Sequence, residues 1–286
     1  MERLTDHVQV QTRGRGGNHG IVTTSDGLVM IDTPYKPSEA LRLREELAGA
    51  PPLRYMINTE PHADHWTGNG FFDAPVAAHE GVRRRMLGID PAEHRARLAR
   101  LGPGEGDLLE GYRLRPPTLI FTDQMTIHLG AHSFRLIHMP GHTPFQAAVV
   151  VEEEGVVFTS DNVFGGVRTW LQEADPEAWL RSLDAIRALG IDTLVPGHGS
   201  ICNRAYLDTQ AEVIREWVGT VREAIDRGLS REEAIEQLSD RPDRFPMASG
   251  QEGKAVEVAR LNVANLWDFA TRTGIHAPNP GDSGAS

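Results

Sequence analysis

The chain of 286 residues contains one cysteine, Cys202, so an internal disulfide is excluded. That usage fits a reducing compartment and predicts a cytoplasmic protein, with Cys202 itself read as an inert small residue. Positive charge is not in excess either: 29 basic residues against 40 acidic ones leave a net charge of −11. A nucleic-acid surface needs a clustered basic face, so no nucleic-acid partner is expected. No apolar run approaches the length of a membrane span, and Met1 to His7 holds neither the basic nor the apolar part of an export signal, so no membrane partner is expected. What is left is an ordinary globular composition, 40% hydrophobic and 24% charged, in a chain long enough to bury a full core.

One stretch stands out, Asn58-Thr59-Glu60-Pro61-His62-Ala63-Asp64-His65. Two carboxylates and two imidazoles follow directly on Leu53-Arg54-Tyr55-Met56-Ile57, an apolar run that reads as a buried strand. A strand end feeding a ligand-dense loop can support a metal site on rigid backbone. Side chains two apart on extended backbone point the same way, so Glu60, His62 and Asp64 are expected to converge while His65 swings to a second position.

Three later loops each place a ligand-type residue just past an apolar run: Met139-Pro140-Gly141-His142, Thr159-Ser160-Asp161 and Val195-Pro196-Gly197-His198-Gly199. In order, the four loops resemble the metallo-β-lactamase superfamily, whose hallmark is H-x-H-x-D-H followed by a His, an Asp and a His. The resemblance runs from about Gly17 to Gly199, with Glu60 standing where the family has its first His. It implies an α/β fold, the four-layer αββα sandwich. It also implies one metal site of Glu60, His62 and His142, a second of Asp64, His65 and His198, and Asp161 bridging them. The cofactors would be two divalent ions, Zn or alternatively Fe or Mn. Asp64 would be the catalytic carboxylate that orients the nucleophile and handles its proton. Asp32 would brace the ligand loop from behind, a helix cap being the alternative reading. The Gly17-Asn18 turn would flank the site, with His19 either bordering the pocket or solvated.

The activity so implied is a metal-dependent hydrolase, in which a metal-bridging hydroxide acts on an ester, thioester, lactone or amide of a small molecule. A mononuclear iron enzyme similar to persulfide dioxygenases, using His62, His142 and Asp161, is one alternative; a β-lactamase is another. Glu60 in place of His brings two divalent ions and their anionic ligands to neutrality, which makes the centre less electrophilic and more tolerant of Mn or Fe.

Around these loops, residues 8–32 read as antiparallel strands with a hairpin at Ser25-Asp26-Gly27, and residues 38–47 as an amphipathic helix. A charged helical insertion at about 80–117 is expected to cap the site. Its arginines, Arg83, Arg84, Arg85, Arg95, Arg97 and Arg100, either meet an anionic substrate or form a solvated face. His128 and His132 read as outward residues of an alternating strand pair. Residues 162–170 have loop character; Phe164 and Trp170 could line a pocket with Arg168 as a polar anchor, or pack on the helix that follows. A helical extension at about 205–272 shows no chemistry of its own. Residues 1–275 are read as one domain and 276–286 as a disordered tail. The sequence leaves the oligomeric state open.

Overall fold

The computed structural model describes residues 1–273; the expected tail at 276–286 lies outside them. In the first half, β1 (Glu2–Arg3), β2 (Val8–Gln11), β3 (His19–Thr24) and β4 (Gly27–Ile31) run antiparallel, and α1 (Pro37–Glu46) carries the chain to β5 (Leu53–Asn58). The short helix α2 (Ala63–Trp66) precedes β6 (Val76–His79). After α3 (Glu80–Leu87) and α4 (Pro91–Ala99), β7 (Leu119–Phe121) closes a seven-stranded sheet in sequence order. From β4 to β7 the strands are parallel.

The second sheet has six strands: β8 (Gln124–Leu129), β9 (His132–His138), β10 (Ala147–Val151), β11 (Val156–Gly165), β12 (Thr193–Gly199) and β13 (Cys202–Asn203). The helix α5 (Pro176–Ala188) crosses from β11 to its parallel neighbour β12. The C-terminal part forms α6 (Tyr206–Asp226), α7 (Arg231–Ser239) and α8 (Ala255–Thr273). Several starts are written in the sequence. Asp175 caps α5 with Pro176 in its first turn, and Ser230 with Glu233 forms a capping box on α7.

Burial explains the layering. Val22, Val29 and Ile57 of the first sheet meet Phe134, Leu136 and Val149 of the second in a central core. On the outer face of the first sheet, Met30 and Met56 pack with Ala40 and Leu43 of α1. On that of the second, Val150 and Val157 pack with Trp179, Ile214 and Val263 from α5, α6 and α8. The result is the four-layer αββα sandwich. Strands covered on both faces, such as β4 and β10, are buried throughout, which is why they read as continuous apolar runs.

Two local readings are corrected. Residues 162–165 continue β11 instead of opening a loop, because the backbone resumes pairing with β12 at Phe164 and Gly165. His132 is buried: alternation in β9 turns it inward, where its Nε2 lies 2.8 Å from Glu154 Oε1, which His7 also meets at 2.8 Å. His128 is exposed as expected. Cys202 is half-buried, and burial pushes its thiol up to about 12, consistent with an inert residue.

His19 is 5% exposed at the start of β3, and burial lowers its pKa from 6.5 to about 4, with a backbone contact to Gly17 opposing the shift. Between those two values the unfolded chain takes up a proton that the folded one refuses, so stability falls as pH drops through that window. The full loss is about 3 kcal/mol. The fall in melting temperature between pH 7 and pH 5 should therefore be smaller in His19→Gln than in the parent; an equal fall contradicts a buried neutral imidazole here.

Candidate metal centre

The carboxyl ends of β4, β5, β11 and β12 open on one edge of the two sheets, the position where open α/β sheets present ligand loops. Past the end of β5 the chain bends through Glu60, Pro61 and His62, and Glu60 and His62 converge, with His62 Nδ1 2.9 Å from Glu60 Oε1. Asp64 does not join them. Helix α2 begins at Ala63, and its turn of about 100° per residue sends Asp64 and His65 elsewhere. Two groups result, Glu60, His62, His142 and Asp161 in one and Asp64, His65 and His198 in the other, the ligand atoms of each lying within 4.8 Å of one another.

The groups meet at Asp161. Its Oδ2 is 3.5 Å from His142 Nε2 and 3.4 Å from His198 Nε2, while its Oδ1 is 3.2 Å from His65 Nε2. His62 Nδ1 lies 3.2 Å from His142 Nε2, and His198 Nε2 lies 3.4 Å from Asp64 Oδ2. Three atoms aimed into this space, Glu60 Oε2, His65 Nε2 and Asp161 Oδ1, are buried with no hydrogen-bond partner among the described residues. A buried polar atom without a partner is costly, and a mixed set of imidazole nitrogens and carboxylate oxygens suits a divalent cation. The donor set therefore fits the metal ions that the fold family implies.

Behind the donors, each of three imidazoles is oriented by its other nitrogen. His65 Nδ1 donates to Asp32 Oδ2 at 2.9 Å, and His142 Nδ1 donates to the Trp170 carbonyl at 2.8 Å. His62 Nε2 meets Glu173 Oε1 at 3.2 Å, and Arg85 donates to the same carboxylate at 2.6 Å. This pattern fixes the tautomer and points the remaining nitrogen inward. Asp32 also accepts from the Thr59 amide and hydroxyl, so it braces the loop; the N-cap of α1 is Lys36, and Asp32 does not cap that helix. Asp32 and Ser160 hold positive φ, at 53° and 52°. Strained backbone of that kind persists only where surrounding contacts enforce it.

Close approach explains two glycines. A Cβ on Gly17 would come within 2.6 Å of the His65 ring, and one on Gly197 would overlap the Asp161 carboxylate. Asn18 fastens the same corner, its amide donating to the carbonyls of Pro196 and Gly199 at 2.8 and 2.9 Å.

Burial works against every charge here, yet the charges hold one another. Without a cation, Glu60 and Glu173 keep His62 well above its ordinary pKa despite burial, and Asp161 and Glu60 do so for His65. His198 and His65 hold Asp161 well below the carboxylate range against the same burial. His142 alone of the four imidazoles is pushed down, by burial. Without a cation, the neighbouring carboxylates thus favour the protonated form of His62, His65 and His198.

A cleft of about 390 Å³ opens over the two groups, with Trp170 in its wall. Phe164 is buried beneath it, stacked on the His198 ring at 5.6 Å and edge-on to His142, so it packs under the imidazoles and does not face the cleft. Arg168 is turned away: its Nε lies 3.3 Å from Asp243 and it donates to the Ala255 carbonyl, tying the C-terminal segment to β11. His19 borders a separate depression beside Glu39 and Arg42. The sequence reading missed Arg15, Glu173, Lys254 and Glu257, which lie at or next to the site; the segment described as free of chemistry supplies two of them.

Comparison with known proteins agrees with this architecture. The model of the metallo-beta-lactamase superfamily matches residues 12–198. A hydroxyacylglutathione hydrolase from Methylococcus capsulatus is 29% identical over 191 residues, 64% of this chain and 62% of that protein. An atrochrysone carboxyl ACP thioesterase from Aspergillus fumigatus is 28% identical over 105 residues, 37% of this chain and 33% of that protein. The matches thus span less than two thirds of either relative. A solved metallo-beta-lactamase family protein from Thermus thermophilus superimposes with a TM-score of 0.66 at 18% identity, covering 95% of each chain. The chain belongs to the metallo-beta-lactamase superfamily.

Proposed function

We propose that the protein is a metal-dependent hydrolase of a small-molecule ester or thioester, with lactones and amides as the wider range of the same chemistry. In this reading Glu60, His62 and His142 hold one divalent ion, Asp64, His65 and His198 hold another, and Asp161 lies between them. The observation that carries the reading is the set of unpartnered donor atoms converging on one buried space. Similarity to a hydroxyacylglutathione hydrolase and to an ACP thioesterase supports the ester and thioester end of the range.

When bound, the ions would supply Lewis acidity and a water of lowered pKa. The chain's own residues do the positioning. The Asp64 side chain is 20% exposed at the cleft, 3.4 Å from His198, and is the carboxylate placed to orient the attacking water and take its proton at Oδ. Glu173, held by Arg85, fixes the ring plane of His62, and Asp32 does the same for His65. Glu60 adds negative charge to the first site, which lowers its electrophilicity and opens it to Mn or Fe as well as Zn. A mononuclear iron enzyme would use His62, His142 and Asp161 and leave the complete set Asp64, His65 and His198 idle, so the hydrolase reading is preferred. The single cysteine favours a cytoplasmic setting, and among the described residues no helix is long and apolar enough to cross a membrane.

Protein loaded with Zn or Mn should turn over members of a panel of esters, thioesters, lactones and amides, and chelation should abolish the turnover; a loaded protein inert to the whole panel contradicts the proposal. Glu60→Ala should lower the metal content measured by mass spectrometry towards one ion per chain, and retention of both ions would show that Glu60 is not a ligand. Asp32→Ala, which frees His65 to rotate, should weaken metal affinity about 10- to 100-fold in competition with a chelator, the usual cost of losing such a support. Unchanged affinity would remove Asp32 from the account.

A further inference from the structure

The cleft gathers cations in a chain that is otherwise strongly acidic. Arg15, Arg97, Arg100 and Lys254 all line it, and apart from Asp64 and Asp161 the one acid that does so is Glu257. The chain as a whole carries 29 basic residues against 40 acidic ones. The four cations come from three separate parts of the sequence: the glycine-rich loop before β3, the α4 region and the approach to α8.

Most arginines of the helical insertion are engaged elsewhere. Arg83 donates to the Pro117 carbonyl, Arg84 lies over the Phe145 ring, Arg85 pairs with Glu173, and Arg95 donates to the Tyr112 carbonyl. Arg97 and Arg100, three residues apart and so on one helical face, are the two that reach the cleft. Among the described residues no carboxylate lies within 4.0 Å of the side-chain nitrogens of these two, of Arg15 or of Lys254, although one Arg15 nitrogen donates to the Leu101 carbonyl at 2.7 Å; the acids of this region pair instead with Lys36, Arg85 and Arg168.

The cations are also distributed unevenly. Burial raises the pKa of the Tyr35 hydroxyl while Arg97 and Arg15 both oppose the shift, and the backbone of Gly16 is wedged between Tyr35 and Asp64. Arg15 and Arg97 therefore lie near Tyr35 in the cleft wall, with Arg100 one helical turn on from Arg97. Lys254 lies apart from them in the chain, 5.9 Å over the ring of Trp170, whose carbonyl orients His142.

We propose that the substrate carries an anionic group, of carboxylate or phosphate type, which docks on Arg15, Arg97 and Arg100 in the wall of the cleft that holds the ligand groups. This rests on the hydrolase reading and names the substrate class of the same site. With the ions and their anionic ligands near neutrality, the rim charges decide which molecules enter. Arginine forks match planar or tetrahedral oxyanions, and cations focused in a cleft raise the local concentration of an anion in a salt-dependent way.

The test compares 4-acetoxybenzoate with the uncharged 4-acetoxybenzamide as substrates of the zinc-loaded full chain. The proposal predicts that kcat/KM for the benzoate exceeds that for the benzamide at least tenfold, chiefly through KM. The ratio should shrink at high salt, and shrink again in Arg100→Gln and Arg97→Gln/Arg100→Gln with metal content retained. A ratio near one at low salt, or a ratio unmoved by both variants, overturns it. If neither ester is turned over, the hydrolase reading is judged by the wider panel and titration calorimetry decides the anion site. In that case 4-hydroxybenzoate must bind the parent at least tenfold more tightly than 4-hydroxybenzamide and lose that advantage in the double variant. Equal binding, or an advantage kept by the double variant, refutes the anion site, because direct contact of carboxylate with metal would survive both substitutions.

Discussion

Three imidazoles from three separate parts of the chain, His65, His142 and His198, lie within 3.5 Å of one buried carboxylate, that of Asp161. The rest of the molecule is arranged so that this convergence can exist. Asp161 sits within β11 just after Ser160, whose positive φ bends the strand, and Gly197 leaves the space that the carboxylate fills. The Thr59 hydroxyl joins Asp32 on the first sheet to Ser160 on the second, and the Ala147 amide donates to the Thr59 carbonyl. The two sheets are thereby tied at the edge where the ligand loops emerge, and the central apolar core behind them makes the tie rigid.

Such a centre is electrostatically incomplete as a set of protein groups. Its imidazoles and carboxylates crowd one buried space, and three of their inward atoms have no hydrogen-bond partner among the described residues. Buried polar groups are ordinarily satisfied, so the deficit is information: the positions are shaped for something the chain does not itself provide. The supporting contacts say the same. Asp32, the Trp170 carbonyl and Glu173 each take the outward nitrogen of an imidazole and leave the inward one free.

Much of this was legible in the sequence, for a definite reason. Ligands placed at strand ends are preceded by apolar runs, and the strands leading to His62, His142, Asp161 and His198 announce themselves by their burial. The layers followed from the same alternation of strands and amphipathic helices. What was not legible depended on local backbone or on tertiary reach. The helical turn at Ala63, which separates Asp64 from Glu60 and His62, has no cap in the sequence to reveal it. His132 and His19 look like surface histidines until Glu154 and the packing of β3 enclose them. Arg168 and Phe164 sit near the site in sequence, yet one holds the C-terminal segment and the other underlies the imidazoles. Arg15, Glu173 and Lys254 reach the site across long sequence separations, which no pattern within their own segments could show.

On the proposed reading, Glu in place of the family's first His would make the first site more anionic and open to harder metals, and the cationic rim would select what approaches it. All of this stands on the claim that two ions share Asp161. Anomalous diffraction from crystals of the zinc-loaded protein tests it most directly. The account predicts two peaks about 3.5–4 Å apart, one contacted by Glu60, His62 and His142 and the other by Asp64, His65 and His198, with Asp161 touching both. A single peak, or two peaks with Asp161 bound to neither, would contradict it.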